Sequence, residues 1–313
     1  MKQSKCESLT LLYAVSGFGK TTLVGSMAEW LYHKTGLRTR LVSRSGGGWE
    51  VVQYLVDAGI IVPTDITSRE DRYNLLDKLS HGWWPADHTD PESPLLCPYH
   101  LRDKYTKWKG GFQTAEDWNG YVALAIDGIS EICEWIMSYT VEREAKGLMK
   151  VSGESLSSVF ADGDEKYGGP GKGQYGTIQN HMSMCVTNTK KLFGKHVLWT
   201  ALEIRTKDDQ TGMPIYGPDI LGKAKTSNAV GWAEQTLHGW KDPKSARRRL
   251  YLTSHYDEYG IEFKAKNTAS HHNPLPEFLE GSDLSLGHFM NKLDESKKKT
   301  AQRVAALRGV VTK

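Results

Sequence analysis

Ala14-Val15-Ser16-Gly17-Phe18-Gly19-Lys20-Thr21-Thr22 is the stretch whose reading decides the fold. An apolar run, Leu9-Thr10-Leu11-Leu12-Tyr13, precedes it and predicts a buried strand. Leu23, Val24, Met27, Trp30 and Leu31 follow at the spacing of one helix face. Strand, Gly-rich turn, Gly-Lys-Thr and helix form a P-loop, in which backbone N–H groups and a helix N-terminus surround a phosphate chain. Backbone from Ser16, Gly17, Phe18, Gly19, Lys20, Thr21 and Thr22 is expected to cradle the phosphates. Lys20 would reach the β- and γ-phosphates of ATP, and the Thr21 hydroxyl would hold Mg²⁺. The usual pattern opens with Gly where this chain has Ala14, which tolerates strand-end geometry but not a positive φ.

The 313 residues suffice for one large α/β domain or two small ones. No apolar run approaches the ~20 residues needed to span a bilayer, and residues 1–7 lack the apolar core of a signal peptide. Four widely spaced cysteines form no disulfide framework, so a reducing, cytoplasmic setting and no membrane partner are expected.

Strand-like and helical runs then alternate, which predicts a mainly parallel sheet with helices on both faces. Thr39–Ser43 reads as a strand, Glu50–Val56 as helical, and Ile60-Ile61-Val62 as a short run stopped by Pro63. Ser68 to Leu79 has helical spacing. Tyr121–Asp127 is nearly continuous in apolar residues and ends in a carboxylate, the pattern of a buried parallel strand. Ile129 to Met137 continues as a helix, 147–176 as a Gly-rich loop, Gln179 to Leu192 as a helix and Lys195–Ala201 as a strand. Thr206 to Gly222 reads as a loop. Arg249–Ser254 and Gly260–Lys266 read as the arms of a C-terminal β-hairpin.

Residues 81–113 break the rhythm and are expected to be an insertion. Trp83, Trp84, Tyr99, Tyr105 and Trp108 serve either to pack it onto the body or to stack on single-stranded nucleic acid, since Lys104, Lys107 and Lys109 are interleaved. Cys97 and His100, with His81 and His88 upstream, have zinc-like spacing but lack a second tight pair, so no structural zinc is expected. The tail, 282–313, is expected to be basic and helical beside an ATPase domain over 1–281. From Asn291 it holds seven basic residues against two acidic ones, a larger excess than the +3 of the whole chain.

Hydrolysis needs a carboxylate near Mg²⁺ and a group that orients water. Asp127, at the C-terminal end of its strand, fits the first role. Glu50, Glu131 and Glu203 compete for the second.

At this point the chain resembles the RecA-like ATPases, and among them the phage-encoded members of single-strand annealing and recombination systems. The likeness rests on Ser16–Thr22, Ala125-Ile126-Asp127, Trp199–Arg205, Gly222-Lys223-Ala224 and Phe263–Asn267, and spans about residues 9–280 in outline. It implies a RecA-like P-loop core, ATP and Mg²⁺, self-association as a ring or filament, and single-stranded DNA as partner. It places Glu203 where the family carries a γ-phosphate-sensing polar residue, often Gln. It places Lys264 and Lys266 where basic residues reach a neighbour's nucleotide. Loops 147–176 and 206–222 stand in the places of the DNA-binding loops but are not strongly basic. A packaging or helicase motor, and a nucleotide-regulated scaffold, share these motifs and stay open as alternatives.

Overall fold

A computed structural model describes residues 6–44, 49–68, 71–72, 75, 120–145, 172–190, 192, 194–207, 214–220, 229–242, 244–256, 261–271 and 273–311. The readings of 81–113, of the 206–222 and 147–176 loops in large part, and of most of the Ser68–Leu79 helix lie outside them.

Two apolar faces of one sheet organise the chain. Strand β1 (Ser8–Ala14) sends Leu9, Leu11 and Tyr13 into one cluster and Leu12 and Ala14 into the other. Strands β4 (Tyr121–Asp127) and β5 (His196–Lys207) divide their side chains the same way, Leu124, Ile126, Val197 and Trp199 against Ala123, Ala125 and Leu198. This is the period-two alternation of a strand covered on both sides. Helices α3 (Ile129–Ala145) and α4 (Lys172–Thr189) cover the first face through Ile132, Cys133, Ile136, Met182 and Cys185. Helices α1 (Lys20–Thr35), α2 (Gln53–Asp57) and α5 (Leu286–Val311) cover the second through Leu23, Val24, Met27, Leu55, Phe289 and Leu293.

The sheet has nine strands among the described residues. The remaining ones are β2 (Arg38–Arg44), β3 (Ile61–Ile66), β6 (Pro214–Pro218), β7 (Gln235–Lys241), β8 (Arg248–Tyr251) and, after a small separate pair, β11 (Phe278–Glu280). Their order is β11-β8-β7-β1-β5-β4-β2-β3, with β6 paired to β5. From β7 to β3 every pairing is parallel; β8, β11 and β6 join antiparallel. The expected class, α/β with a mainly parallel sheet and helices on both faces, is what forms. One strand, β5, separates the P-loop strand from the Asp127 strand.

Several boundaries differ from the sequence reading. Pro63 does not stop its strand: β3 is the sheet edge, where a missing N–H costs no ladder bond. Helix α4 begins at Lys172, inside the segment read as loop, because packing of Met182, Cys185 and Val186 on the α3 face outweighs the cost of its glycines. Strand β5 runs on to Lys207, since Glu203 to Lys207 gain a partner in β6, a strand hidden between two prolines. The C-terminal hairpin is shorter than expected. β9 (His255–Tyr256) pairs with β10 (Glu262–Phe263), while Arg248–Tyr251 joins β7 and β11 because Leu250 and Leu252 belong to the second core. β7 itself escaped the reading, since Gln235–Lys241 has no continuous apolar run.

Helix α5 is welded to α1 through its first ten residues. A Cβ on Gly287 would come within 2.8 Å of the Ser26 carbonyl oxygen and 2.9 Å of Trp30 Cβ, so only glycine permits that approach. Ser26 Oγ accepts from the Leu286 N–H at 3.0 Å, and Lys34 pairs with Asp294. Beyond Thr300 the helix side chains from 301 to 307 are exposed.

His196, at the start of β5, makes folding sensitive to pH. Burial pushes its imidazole down to about 4, against the opposing pull of the Glu7 and Asp294 carboxylates, and Ser8 Oγ lies 2.8 Å from Nδ1. The unfolded chain takes up this proton near pH 6.5, the folded chain only near 4. The contribution is therefore full above about 6.5 and is lost as pH falls toward 4, up to about 3 kcal/mol. Urea midpoints at about pH 7.5 and about pH 5 test this. His196→Gln should lose less stability over that interval than the parent; equal losses would remove His196 from the account.

Candidate nucleotide site

In the turn after β1 the Phe18 N–H donates to the Val15 carbonyl at 3.3 Å. Gly17 (φ 72°) and Gly19 (φ 102°) take left-handed conformations that a Cβ would strain. Gly19 is the N-cap of α1 and supplies no side chain, and no acidic residue stands in the first turn. The positive end of the helix is thus open to an anion. Ala14 needs no glycine, because it is still strand, fully buried, with an ordinary φ.

Phe18 anchors the turn from below. Its ring is 2 % exposed and lies where a side chain on Gly239 of β7 would be, with a built Cβ only 2.4 Å from Cε1. Its side chain therefore belongs to the core, and only its backbone faces the turn. Ser16 and Thr22 are exposed, and Lys20 Nζ donates to the carbonyls of Ala14 at 3.2 Å and Val15 at 3.3 Å. Burial lowers the Lys20 pKa, while the Asp127, Glu131 and Glu203 carboxylates act in the opposite direction.

Asp127 is held at both oxygens. Thr21 Oγ1 donates to Oδ2 at 2.5 Å, and Thr200 Oγ1 donates to Oδ1 at 2.5 Å while accepting from the Gly128 N–H at 3.0 Å. Hydroxyl and carboxylate oxygens meeting beside a lysine suit a hard cation such as Mg²⁺. A nearby orphan fits as well. Glu131 Oε2 is buried without a hydrogen-bond partner among the described residues, and a Cβ on Gly128 would lie 2.4 Å from it. Chains after β1 and β4 leave for opposite faces, α1 to one and α3 to the other.

The other expected residues are spread more widely. Glu203 is nearly buried and pairs with His238 Nε2 at 2.9 Å; His238 is sandwiched between Tyr13 and Phe263 with ring centroids at 4.7 and 4.4 Å. Burial and the Glu203 charge push the Tyr13 phenol up, and its OH donates to the Lys264 carbonyl at 2.8 Å. Glu50 opens a short 3₁₀ turn beyond β2 and is exposed. Lys266 bridges to Thr236, with Lys190 and Glu234 nearby, toward the start of β7 and away from the P-loop of its own chain. Its pKa is lowered by burial and by Lys190.

Sequence reading missed three contributors. Thr200 belongs to the Trp199–Arg205 motif, and its place at the end of an apolar run is the signal for its role. His238 lay in the unread β7. Arg248 lies in the run Arg247-Arg248-Arg249, and its Nη2 donates to the Gly17 carbonyl at 3.4 Å. Among the described residues no group of three or more His, Cys, Asp or Glu forms a metal cluster, and no helix is long and apolar enough to cross a membrane.

No family model and no curated protein matches the chain. Among solved structures it is similar to a KaiC-like protein of the hyperthermophilic archaeon Pyrococcus horikoshii OT3. The identity is 12 %, the match covers 78 % of this chain and 77 % of that one, and the TM-score is 0.33. The fold class rests on the strand order and pairing rather than on this likeness.

Gly239→Ala should drive the Phe18 ring out of place, lowering stability by about 1–3 kcal/mol and weakening pyrophosphate binding. Adding Phe18→Leu should recover part of both. Denaturant midpoints and pyrophosphate titration decide; a Gly239→Ala protein with parental values in both would show that β7 does not support the turn.

Proposed function

We propose that this chain is an ATPase that binds ATP with Mg²⁺ at the Gly17–Thr22 turn, hydrolyses it, and acts on single-stranded DNA as a self-associating, RecA-like ring or filament of the kind phages use in recombination. The observation that carries the nucleotide reading is the Asp127 carboxylate clasped by Thr21 and Thr200 beside Lys20, at the mouth of an uncapped helix.

In this reading the backbone N–H groups of the turn bind the phosphate chain, and Lys20 neutralises its β- and γ-oxygens. Mg²⁺, held through Thr21 and Asp127, supplies further charge neutralisation at the phosphates. Water adds to the γ-phosphorus, the bond to the β–γ bridging oxygen breaks, and ADP departs with the electron pair. The proton of the attacking water passes to a carboxylate or to the phosphate product. Glu131, whose Oε2 has no hydrogen-bond partner among the described residues and whose charge acts on Lys20 together with that of Asp127, is the carboxylate best placed to orient that water; Glu50 and Glu203 are the other candidates. Glu203, hydrogen-bonded to His238, suits sensing better than proton transfer, because one of its oxygens is already engaged.

The DNA and assembly parts rest on the family resemblance and on charge. Lys297, Lys298, Lys299 and Arg303 are exposed on α5, where a phosphate backbone would find them. Lys264 and Lys266 would complete a neighbouring subunit's site.

Steady-state ATP hydrolysis with and without single-stranded DNA tests the proposal. DNA should raise turnover, and Lys20→Ala should lower it by about 100-fold or more, as should Asp127→Asn. Turnover unchanged in Lys20→Ala would reject the site. Turnover indifferent to DNA would keep the ATPase and remove the partner.

A further inference from the structure

We infer that Arg248 is a phosphate-contacting arginine supplied by the same chain, so that each nucleotide site carries its own arginine; this rests on the ATP-binding reading above. Strand β8 lies two strands from β1, and its pairing brings Arg248 opposite Lys241, at the end of β7 just beyond Gly239. Gly239 in turn registers with Ala14, where β1 gives way to the turn. Phe18 seated over Gly239 tips the turn toward β7, and so toward β8.

The result is a guanidinium resting on the turn. Nη2 donates to the Gly17 carbonyl at 3.4 Å, and Nη1 lies 3.4 Å from where a Cβ on Gly19 would stand. The contact is long for an N–H···O bond and its acceptor is neutral. A phosphate oxygen offers a shorter, charge-assisted and bidentate alternative, for which the planar fork of arginine is suited. Arg248 is exposed, so reorientation disturbs no core packing.

Its neighbour shows that the placement is specific. Arg249 points to the other side of β8, donates to Glu280 at 2.9 Å and covers the Phe278 and Trp240 rings. Strand alternation divides the two roles: Arg249 fastens β8 to β11, and Arg248 faces the turn. When the bond to the β–γ bridging oxygen breaks, negative charge grows on the departing ADP. An arginine beside Gly17 stabilises that charge, as arginines supplied in cis do in other phosphoryl-transfer sites.

Arg248→Ala and Arg248→Lys in the full chain test this, with magnesium ATP and magnesium ADP as probes. Arg248→Ala should lower turnover about 100-fold and weaken ATP binding about tenfold, with a smaller loss for ADP and an unchanged melting temperature. Arg248→Lys should recover part of the ATP affinity through its charge. Unchanged turnover and affinity in Arg248→Ala, beside a parent that binds ATP, would overturn the assignment while leaving the ATPase reading intact. A parent that binds no nucleotide would overturn both. Mixing Arg248→Ala with Lys20→Ala protein separates cis from trans. A same-chain arginine predicts no recovery of activity, whereas recovery would place Arg248 in a neighbour's site and refute the cis assignment.

Discussion

The two hydrogen bonds to Asp127 are the constraint on which the rest of the site depends. Thr21 belongs to the first turn of α1, Asp127 ends β4 and Thr200 lies in β5. One carboxylate therefore locks a helix and two strands into a single register. Each bond is short and charge-assisted, and both lie at a strand end where water would otherwise compete. Because Thr200 Oγ1 also accepts from the Gly128 N–H, the same hydroxyl sets the point at which the chain turns from β4 into α3. Shifting β4 by one residue against β5 would place an apolar side chain between Thr21 and Thr200 and expose the face that α3 covers.

Around that lock the turn after β1 is supported from the opposite side. Phe18 is a core residue in a loop that otherwise consists of exposed or half-exposed positions. Burying it against Gly239 removes freedom that a Gly-rich turn would have, so the N–H groups are held in place before a ligand arrives. Such preorganisation saves the ordering cost at the moment of binding. The same contact makes the antiparallel β7–β8 extension part of the site rather than a decoration of the sheet.

Much of the site was legible in the chain itself. Asp127 closes a run of six buried residues, and Gly19-Lys20-Thr21 sits between strand and helix patterns, so identity and local geometry coincided. Glu131 and Glu203 were recognisable as acids near strand ends. Their difference was not: Glu203 is hydrogen-bonded in the interior with His238, whereas Glu131 Oε2 has no hydrogen-bond partner among the described residues. That distinction depends on β7, a strand with so little apolar continuity that its existence follows from pairing with β1 rather than from its own composition.

By itself the sequence determined the α/β class, the Gly-rich turn between strand and helix, and the lysine, hydroxyl and carboxylate that gather at it. Each of these is written in a local pattern: a period of two or 3.6 residues, glycines at positive φ, or an acid ending an apolar run. Only the tertiary structure decided which acid meets His238, that β5 extends to meet β6, that α5 packs on α1 through Gly287, and that Arg248 reaches Gly17 across 231 positions of chain. Those features arise from non-local pairing, where the partner's position sets the geometry and no short window of residues contains both halves of the contact.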